Sequence, residues 1–392
     1  MNESSAAHQA SPELIPDSVL RALRGSAWMA SWWLAVPESM ACLLLAVRLA
    51  VGKRRTGGKM FDLPGARTQG PRIRVHAALR IFGCFLSVLG AGSVLANAYT
   101  SYIPNLRSVG RVWAAATRMG NSYREPGQVD GSIHGKVSIV RLEADPSLRV
   151  PASNAWIYTP PGYEDSGKTR YPILYLIHGY PGMAADWFVA GETDRIMDVL
   201  VAQHLVEAMI VVSLDVNGGF QRDSGCLDAM NGPQMESWLY DRVLPYIDRA
   251  YPTDPTRTQR ILGGVSAGGY CALDQGLRHQ GTWGTILSFE GYGDPGRGGR
   301  LAFKGDRAAI RAHTPSSYVP TMVFTHLQAF YLDSGDRLGR ARVAKLARLL
   351  DDRGQFLHHR INPGVGHSWS EVRAGLPHAL VFASRQLDGQ SR

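Results

Sequence analysis

The stretch GGVSAGGYCAL, residues 263–273, decides how this chain is read. It continues the apolar run from Gln259 to Gly263 and leads into a helix-like segment, Gly269 to His279. Glycines stand two positions before and two positions after Ser266, the pattern G-x-S-x-G. A strand that turns at once into a helix crowds the chain on both sides of the turn, so glycine is required at those two places. The residue between them is presented at the helix N-terminus in strained backbone geometry. Ser266 is therefore the candidate nucleophile, weighed against a small residue in a glycine-rich turn.

A serine hydroxyl needs a base to take its proton and an acid to orient that base. His367, in the turn-rich NPGVGHSW (362–369), follows the last expected strand and is the candidate base. The candidate acids lie in YLDSGDRLG (331–339). Asp336 follows Gly335 and is preferred, because loops at strand ends present catalytic side chains. Asp333 is the alternative, since it can still belong to the strand. Developing negative charge needs preorganised N–H donors. The amides of Ala267, next after the nucleophile, and of Tyr180, in HGYPG (178–182), are the candidates. His178 reads as structural.

The surrounding chain alternates strands and helices. YPILYLI (171–177) and AMIVVSL (208–214) are continuous apolar runs of the kind buried on both faces of a parallel sheet. Residues 137–142 and 155–158 alternate as edge strands do. Further strands are expected at 285–289, within 322–332 and at 357–361. Helices are expected at 193–206, 238–250, 338–353 and 369–387. This βαβα order predicts an α/β fold with a mostly parallel sheet covered on both faces.

From about Val137 to Leu387 the chain resembles the bacterial putative-esterase family of α/β-hydrolases, which includes esterase D-like enzymes, feruloyl esterases and antigen 85 mycolyltransferases. HGYPG, GVSAGG, the SGD loop and GVGHSW occur in that family's order. The resemblance implies an α/β-hydrolase fold and acylation of Ser266 by an ester. It implies His367 as base, Asp336 stabilising the imidazolium, and deacylation by water or another alcohol. The chain departs from the family in two places. Gly335 and Asp336 are adjacent, where relatives often have two residues between glycine and acid. Glu290, in SFEG (288–291), puts a carboxylate where relatives tend to have a small residue, and is a possible pocket residue.

Charge points to a membrane. The formal net charge is +9, yet residues 52–80 alone hold eight basic residues against one acid, Asp62. A basic balance confined to one short segment does not describe a nucleic-acid-binding surface. The segment lies between apolar runs at 27–51 and 81–103. The second is uncharged over a length that spans a bilayer core of about 20 residues. The first, interrupted by Pro37 and Glu38 and carrying Arg48, reads as a second span or as an interfacial helix. It starts too late for a cleaved signal peptide. Loops rich in Arg and Lys stay in the cytoplasm, which puts both chain ends outside. The expected organisation is a tail (1–26), a transmembrane hairpin (27–103) with a basic cytoplasmic loop (52–80), a connector (104–136) and a catalytic domain (137–392).

Two of the four cysteines, Cys226 and Cys271, fall in that outer portion, where they form a disulfide or remain buried thiols. Glu236 and Trp238, in NGPQMESWLY (231–240), are possible pocket residues, with core packing the alternative for Trp238. No metal-ligand spacing occurs, and no cofactor is expected. GYGDPG (291–296) matches a dinucleotide motif only literally, since a proline interrupts it. These readings converge on a membrane-anchored serine esterase or acyltransferase acting on lipid or envelope esters. The competing class is a noncatalytic hydrolase fold serving as an envelope scaffold.

Overall fold

The computed structural model describes residues 15–24, 27–30, 32–51, 71–117, 123–124, 134–165, 168–218, 222–335, 337–363 and 366–389. The chain divides into two units, residues 26–106 and residues 1–25 with 107–392. Its first helices are α1 (Asp17–Arg24), α2 (Trp32–Val51), α3 (Pro71–Thr100) and α4 (Leu106–Thr117).

The smaller unit is an antiparallel pair of helices. The thiol of Cys84 on α3 donates to the carbonyl of Ala46 on α2 at 3.2 Å. A turn and a half further on, Gly90 faces Cys42 of α2 at ordinary van der Waals distance. Asn97 fixes the far end by donating to Met29 O at 3.2 Å and Ile103 O at 3.0 Å. The outer faces expose Leu43, Leu44, Val47, Phe82, Phe85 and Leu89. Among the described residues, Ile81–Thr100 is the one helical stretch long and apolar enough to cross a membrane, with mean hydropathy 1.8. The expected second span, α2, is helical from Trp32 to Val51 and carries Pro37, Glu38 and Arg48, and its crossing is not established. Helix α3 also begins ten residues before its apolar run, so Arg72, Arg74 and Arg80 are helical rather than part of a loop. Residues 52–70 of the basic segment lie outside the described residues.

The larger unit is built on a nine-stranded sheet: β1 (Tyr123–Arg124), β2 (Lys136–Leu142), β3 (Ser153–Thr159), β4 (Ile173–Ile177), β5 (Ile210–Leu214), β6 (Arg260–Val265), β7 (Thr285–Phe289), β8 (Ala329–Ser334) and β9 (Phe356–Ile361). The spatial order is β1-β2-β3-β5-β4-β6-β7-β8-β9. The first three pairings are antiparallel, and β5 to β9 are parallel throughout. Its helices are α5 (Asp186–Val189), α6 (Thr193–Ala202), α7 (Met235–Trp238), α8 (Leu244–Ala250), α9 (Ala267–Arg278), α10 (Gly296–Ala302), α11 (Arg307–Ala312), α12 (Pro315–Tyr318), α13 (Arg337–Asp352) and α14 (Trp369–Gly389).

Strands β4 to β8 are buried along their whole length, as continuous apolar runs require when helices cover both faces. Helix α9 packs so tightly that a Cβ at Gly276 would stand 2.4 Å from Ile286 Cγ1 on β7. Strand order reverses at β4, whose chain continues to β5 on one side while β6 lies on the other. At such a reversal the connections leave in opposite directions and open a crevice beyond the carboxyl ends of the strands. HGYPG follows β4 and Ser266 follows β6, so both motifs open onto that crevice.

Two expectations are corrected here. Within 322–332 only Ala329–Ser334 is strand. The connector 104–136 is not plain linker, because α4 docks on the larger unit. Arg111 donates to Asp194 on α6 through two bonds of 2.8 and 2.6 Å, and to Phe188 O at 2.6 Å. Burial pushes the Asp194 carboxyl up, but Arg111 and the nearby Arg107 outweigh it and hold its pKa below the usual value. Helix α1 docks on the same unit. Its stripe of Val19 and Leu23, with Ile15 before it, is buried, and Arg195 on α6 donates to Leu23 O at 2.5 Å.

Removing one partner of a buried pair strands the other charge, at a cost of about 3–5 kcal/mol. Arg111→Met should lower unfolding stability by that order, and Arg111→Met with Asp194→Asn should recover most of it. Denaturant unfolding of the four members of this cycle measures the coupling. A loss below about 1 kcal/mol in the single variant would mean that the pair does not hold α4 in place.

Candidate active site

Ser266 sits between β6 and α9 with φ 56° and ψ −115°, a left-handed conformation that side chains rarely adopt. Glycines allow the turn. A Cβ at Gly264 would fall 2.1 Å from Gly268 O, and one at Gly268 would fall 2.2 Å from Ile177 O. The turn is held from outside by Ser266 N donating to Phe289 O at 2.8 Å. The loop after β4 approaches from the other side, where a Cβ at Gly179 would meet Ser266 Cβ at 3.3 Å. Ser266 is half-buried, and Ala267 opens the twelve-residue α9. The amide of Ala267 thus lies at the positive end of a helix dipole, and the loop holding Tyr180 faces it across the serine. His178, between them, bonds Gly179 O at 2.7 Å and Asp215 at 3.4 Å. Burial pulls its pKa down, yet the Asp215 and Asp186 carboxylates carry it above the ordinary value. It braces the loop, as its sequence context suggests.

His367 is exposed on the connection between β9 and α14. Its Nδ1 stands 3.8 Å from Oε2 of Glu290, a residue left only 4% exposed at the end of β7. Glu290 has φ 51°, and its Oε1 accepts a bond from Gly335 N at 2.5 Å. Its own amide donates to Asp333 O at 2.8 Å. The carboxylate is therefore gripped by the β8 end with one oxygen turned toward the imidazole. The sequence reading treated Glu290 as a pocket residue and missed this placement. The signal available was its position directly after a strand next to the nucleophile's strand.

The preferred acid, Asp336, lies outside the described residues. The alternative, Asp333, is turned away. It is fully buried within β8, and both its oxygens accept from Arg360 Nη1, at 3.1 and 3.0 Å. Tyr331 donates to it at 3.2 Å, and the carboxyl of Glu371 on α14 lies close enough for the two to influence each other's pKa. Alternation along the strand explains this: Asp333 points into the α14 side of the sheet, where Gly375 is small enough to admit it.

Glu236 and Trp238 do not border the site. Glu236 accepts from His279 at 2.8 Å and Arg278 at 3.1 Å, at the far end of α9. Twelve residues of helix, roughly 18 Å, separate that end from Ser266. Trp238 is buried in the core. Cys226 and Cys271 are joined as a disulfide with Cα atoms 5.6 Å apart, tying the loop after β5 to α9 one turn beyond Ser266. Among the described residues no cluster of His, Cys, Asp and Glu could hold a metal ion.

A mostly parallel sheet with this order, and a serine on the turn after β6, define an α/β-hydrolase-like protein. The family model described as "Putative esterase" matches residues 152–379, more than half of the chain, and the chain belongs to that family. It is 26% identical over 263 residues to an uncharacterized protein of Corynebacterium glutamicum, covering 64% of this chain and 61% of the relative. It is 31% identical over 140 residues to an endo-1,4-beta-xylanase/feruloyl esterase of Xylanibacter ruminicola, covering 35% of this chain and 19% of the relative. The chain thus spans less than two thirds of these relatives' length. A ferulic acid esterase structure superposes with TM-score 0.56 at 23% identity, covering 65% of this chain and 99% of the other. An S-formylglutathione hydrolase from Agrobacterium tumefaciens superposes with TM-score 0.55 at 17% identity, covering 69% and 99%. At those identities the likeness is one of fold.

The proton beneath the site has a consequence for stability. Burial, then the bond to Asp333, raises the Glu371 pKa from 4.5 to about 8. Between those values the folded chain holds a proton that the unfolded chain has released, so stability falls as pH rises, by at most about 1.4 kcal/mol per unit. Glu371→Gln keeps the donor to Asp333 and removes the titration. Its stability should decline less between pH 5 and pH 8 than that of the parent, read by thermal unfolding across buffers. Parallel profiles would show that Glu371 does not titrate in this window.

Proposed function

We propose that the chain is a serine esterase or acyltransferase anchored in a membrane, with Ser266, His367 and Glu290 as its triad. The observation that carries this reading is the convergence at one sheet edge of a strained serine, a glycine loop against its Cβ, and an imidazole facing a buried carboxylate. Glu290 takes the orienting role for which the sequence offered Asp336.

In this reading His367 Nε2 accepts the Ser266 proton as Oγ attacks the ester carbonyl carbon. The carbonyl oxygen becomes an oxyanion facing the amides of Ala267 and Tyr180. Collapse expels the alcohol, which takes the proton from the imidazolium, and leaves an acyl-serine. Water or a second alcohol then enters by the reverse proton path. The Glu290 carboxylate stabilises the imidazolium and fixes which ring nitrogen faces the serine. Contacts between such a serine and its base tighten when substrate is bound.

Esters held in a lipid phase fit the lip of the crevice, where Tyr180, Met183 and Ile361 are exposed. The anchor rests on the apolar Ile81–Thr100 and on chain connectivity. Helices α1 and α4, before and after the helical pair, both dock on the larger unit. Segments on the same side of a bilayer are joined by an even number of crossings, so α2 returns what α3 crosses. The disulfide and the positive segment between the helices support an extracytoplasmic catalytic unit.

A fluorophosphonate probe should label the purified protein, and Ser266→Ala should abolish labelling. Folded, unlabelled parent protein would favour a scaffold instead. Glu290→Gln should lower kcat by about two to four orders of magnitude, because an amide cannot stabilise the imidazolium. Asp336→Asn is the comparison. If it, rather than Glu290→Gln, removes activity, the assignment of the acid reverts to Asp336.

A further inference from the structure

Helix α4 is amphipathic in the reverse of the usual sense. Its buried face is ionic. Arg111, 4% exposed, is bonded to Asp194 and Phe188 O, and the hydroxyl of Ser108 donates to Val189 O at 2.7 Å. Its outer face is apolar, with Leu106 67%, Val109 42% and Trp113 72% exposed and Gly110 beside them. At the helical repeat these four positions cover an arc of about 100°, one continuous stripe. A soluble helix buries such a stripe and shows its charges to water. Here the arginine is drawn inward by a carboxylate, and the tryptophan is turned outward.

Position along the chain selects the occupant. Helix α3 ends at Thr100, and α4 begins at Leu106. The stripe therefore starts a few residues beyond the end of the apolar Ile81–Thr100, at the depth where a chain leaving a bilayer enters the headgroup layer. Tryptophan concentrates at that layer because its ring is apolar and its N–H is polar. Five residues cannot carry α4 far from the surface, at no more than about 3.6 Å each.

We propose that the Leu106–Val109–Trp113 face of α4 lies in the membrane interface and sets the catalytic unit against the lipid surface. The proposal rests on the reading of α3 as a bilayer span. The helix is coupled to the site through its buried face. Ser108 and Arg111 hold the last two residues of α5, and Asp186 at the start of α5 accepts a bond from Met183 N at 3.0 Å. Met183 and Tyr180 form the exposed lip beside Ser266. One short helix thus joins the lipid-facing stripe to the loop that would hold the oxyanion. The partner is the outer lipid surface itself, and the substrate class is an ester lying in that surface with its carbonyl near the headgroups.

The test uses the full chain with Cys42 and Cys84 replaced by alanine, which leaves the disulfide intact. Val109→Cys, Trp113→Cys and, as a reference, Val323→Cys each receive a nitroxide. Residue 323 is 76% exposed and precedes β8, at the sheet edge opposite the site. Each protein is reconstituted into vesicles of phosphatidylcholine and phosphatidylglycerol, floated on a density gradient, and examined for nitroxide collisions with oxygen, which partitions into lipid, and with a nickel chelate, which stays in water. The expected result is an oxygen-to-nickel ratio several-fold higher at 109 and 113 than at 323, with a depth of about 5–10 Å below the phosphates. Equal ratios at all three positions in floated protein would overturn the proposal while sparing the membrane anchor. Shielding of 109 and 113 from both agents would mean that protein covers the stripe, and would overturn it too. Protein that fails to float would remove the anchor and this proposal together.

Discussion

The site depends on a steric constraint at one turn. Between β6 and α9 the chain reverses so sharply that the carbonyl of Gly268 lies where a side chain on residue 264 would begin, 2.1 Å from its Cβ position. Ile177 O and His178 O crowd residue 268 in the same way. Two glycines satisfy both demands, and Ser266 is then held at positive φ with its amide committed to Phe289 O. That bond runs to β7, so the turn is locked by the next strand. The loop after β4 closes from the other side through Gly179. Any larger residue at 264 or 268 would separate the parts that the crevice brings together.

These contacts also explain how much could be read in advance. The parallel sheet was legible because β4, β5 and β7 are apolar on both faces, and periodicity reports burial directly. The elbow was legible because its glycines are a local steric requirement. The acid was not. Glu290 and Asp333 follow or end adjacent strands, and nothing local says which of the two turns toward His367; Asp336 lies outside the described residues. For Asp333 the decision is made by Arg360 on β9 and Glu371 on α14, which draw it to the other side of the sheet. For Glu290 it is made by Gly335 N, forty-five residues away. Glu236 misled for a similar reason. Its segment precedes a helix and so reads as a border of the pocket, yet its partners Arg278 and His279 stand at the end of α9 remote from Ser266.

Charge was legible as a total and not in its use. The arginines of 52–80 advertise a segment, whereas Arg111 is one residue in an unremarked connector. It nonetheless ties α4 to α6 through a carboxylate whose pKa burial pushes up and the arginines hold down. Such a pair is costly to bury, and a hydrophobic contact would hold the helix as well or better. What an ion pair adds is direction. Guanidinium and carboxylate meet in one geometry, so the helix is fixed in rotation as well as in position.

Fixing rotation matters only if the outer face of α4 has to point somewhere. A hydrophobic contact would have placed Val109 and Trp113 inward, against the larger unit. With Arg111 and Ser108 facing inward, the apolar positions are left outside and aligned along the helix axis. The same logic holds at α1, where Ile15, Val19 and Leu23 do face inward and Arg195 caps the contact from the side. The two helices bracket the helical pair, yet they bury opposite kinds of residue against the same unit. Helix α1 docks as a soluble helix does. Helix α4, the one that follows the apolar run, docks by its charge, which is the arrangement expected of a segment that meets protein on one face and lipid on the other.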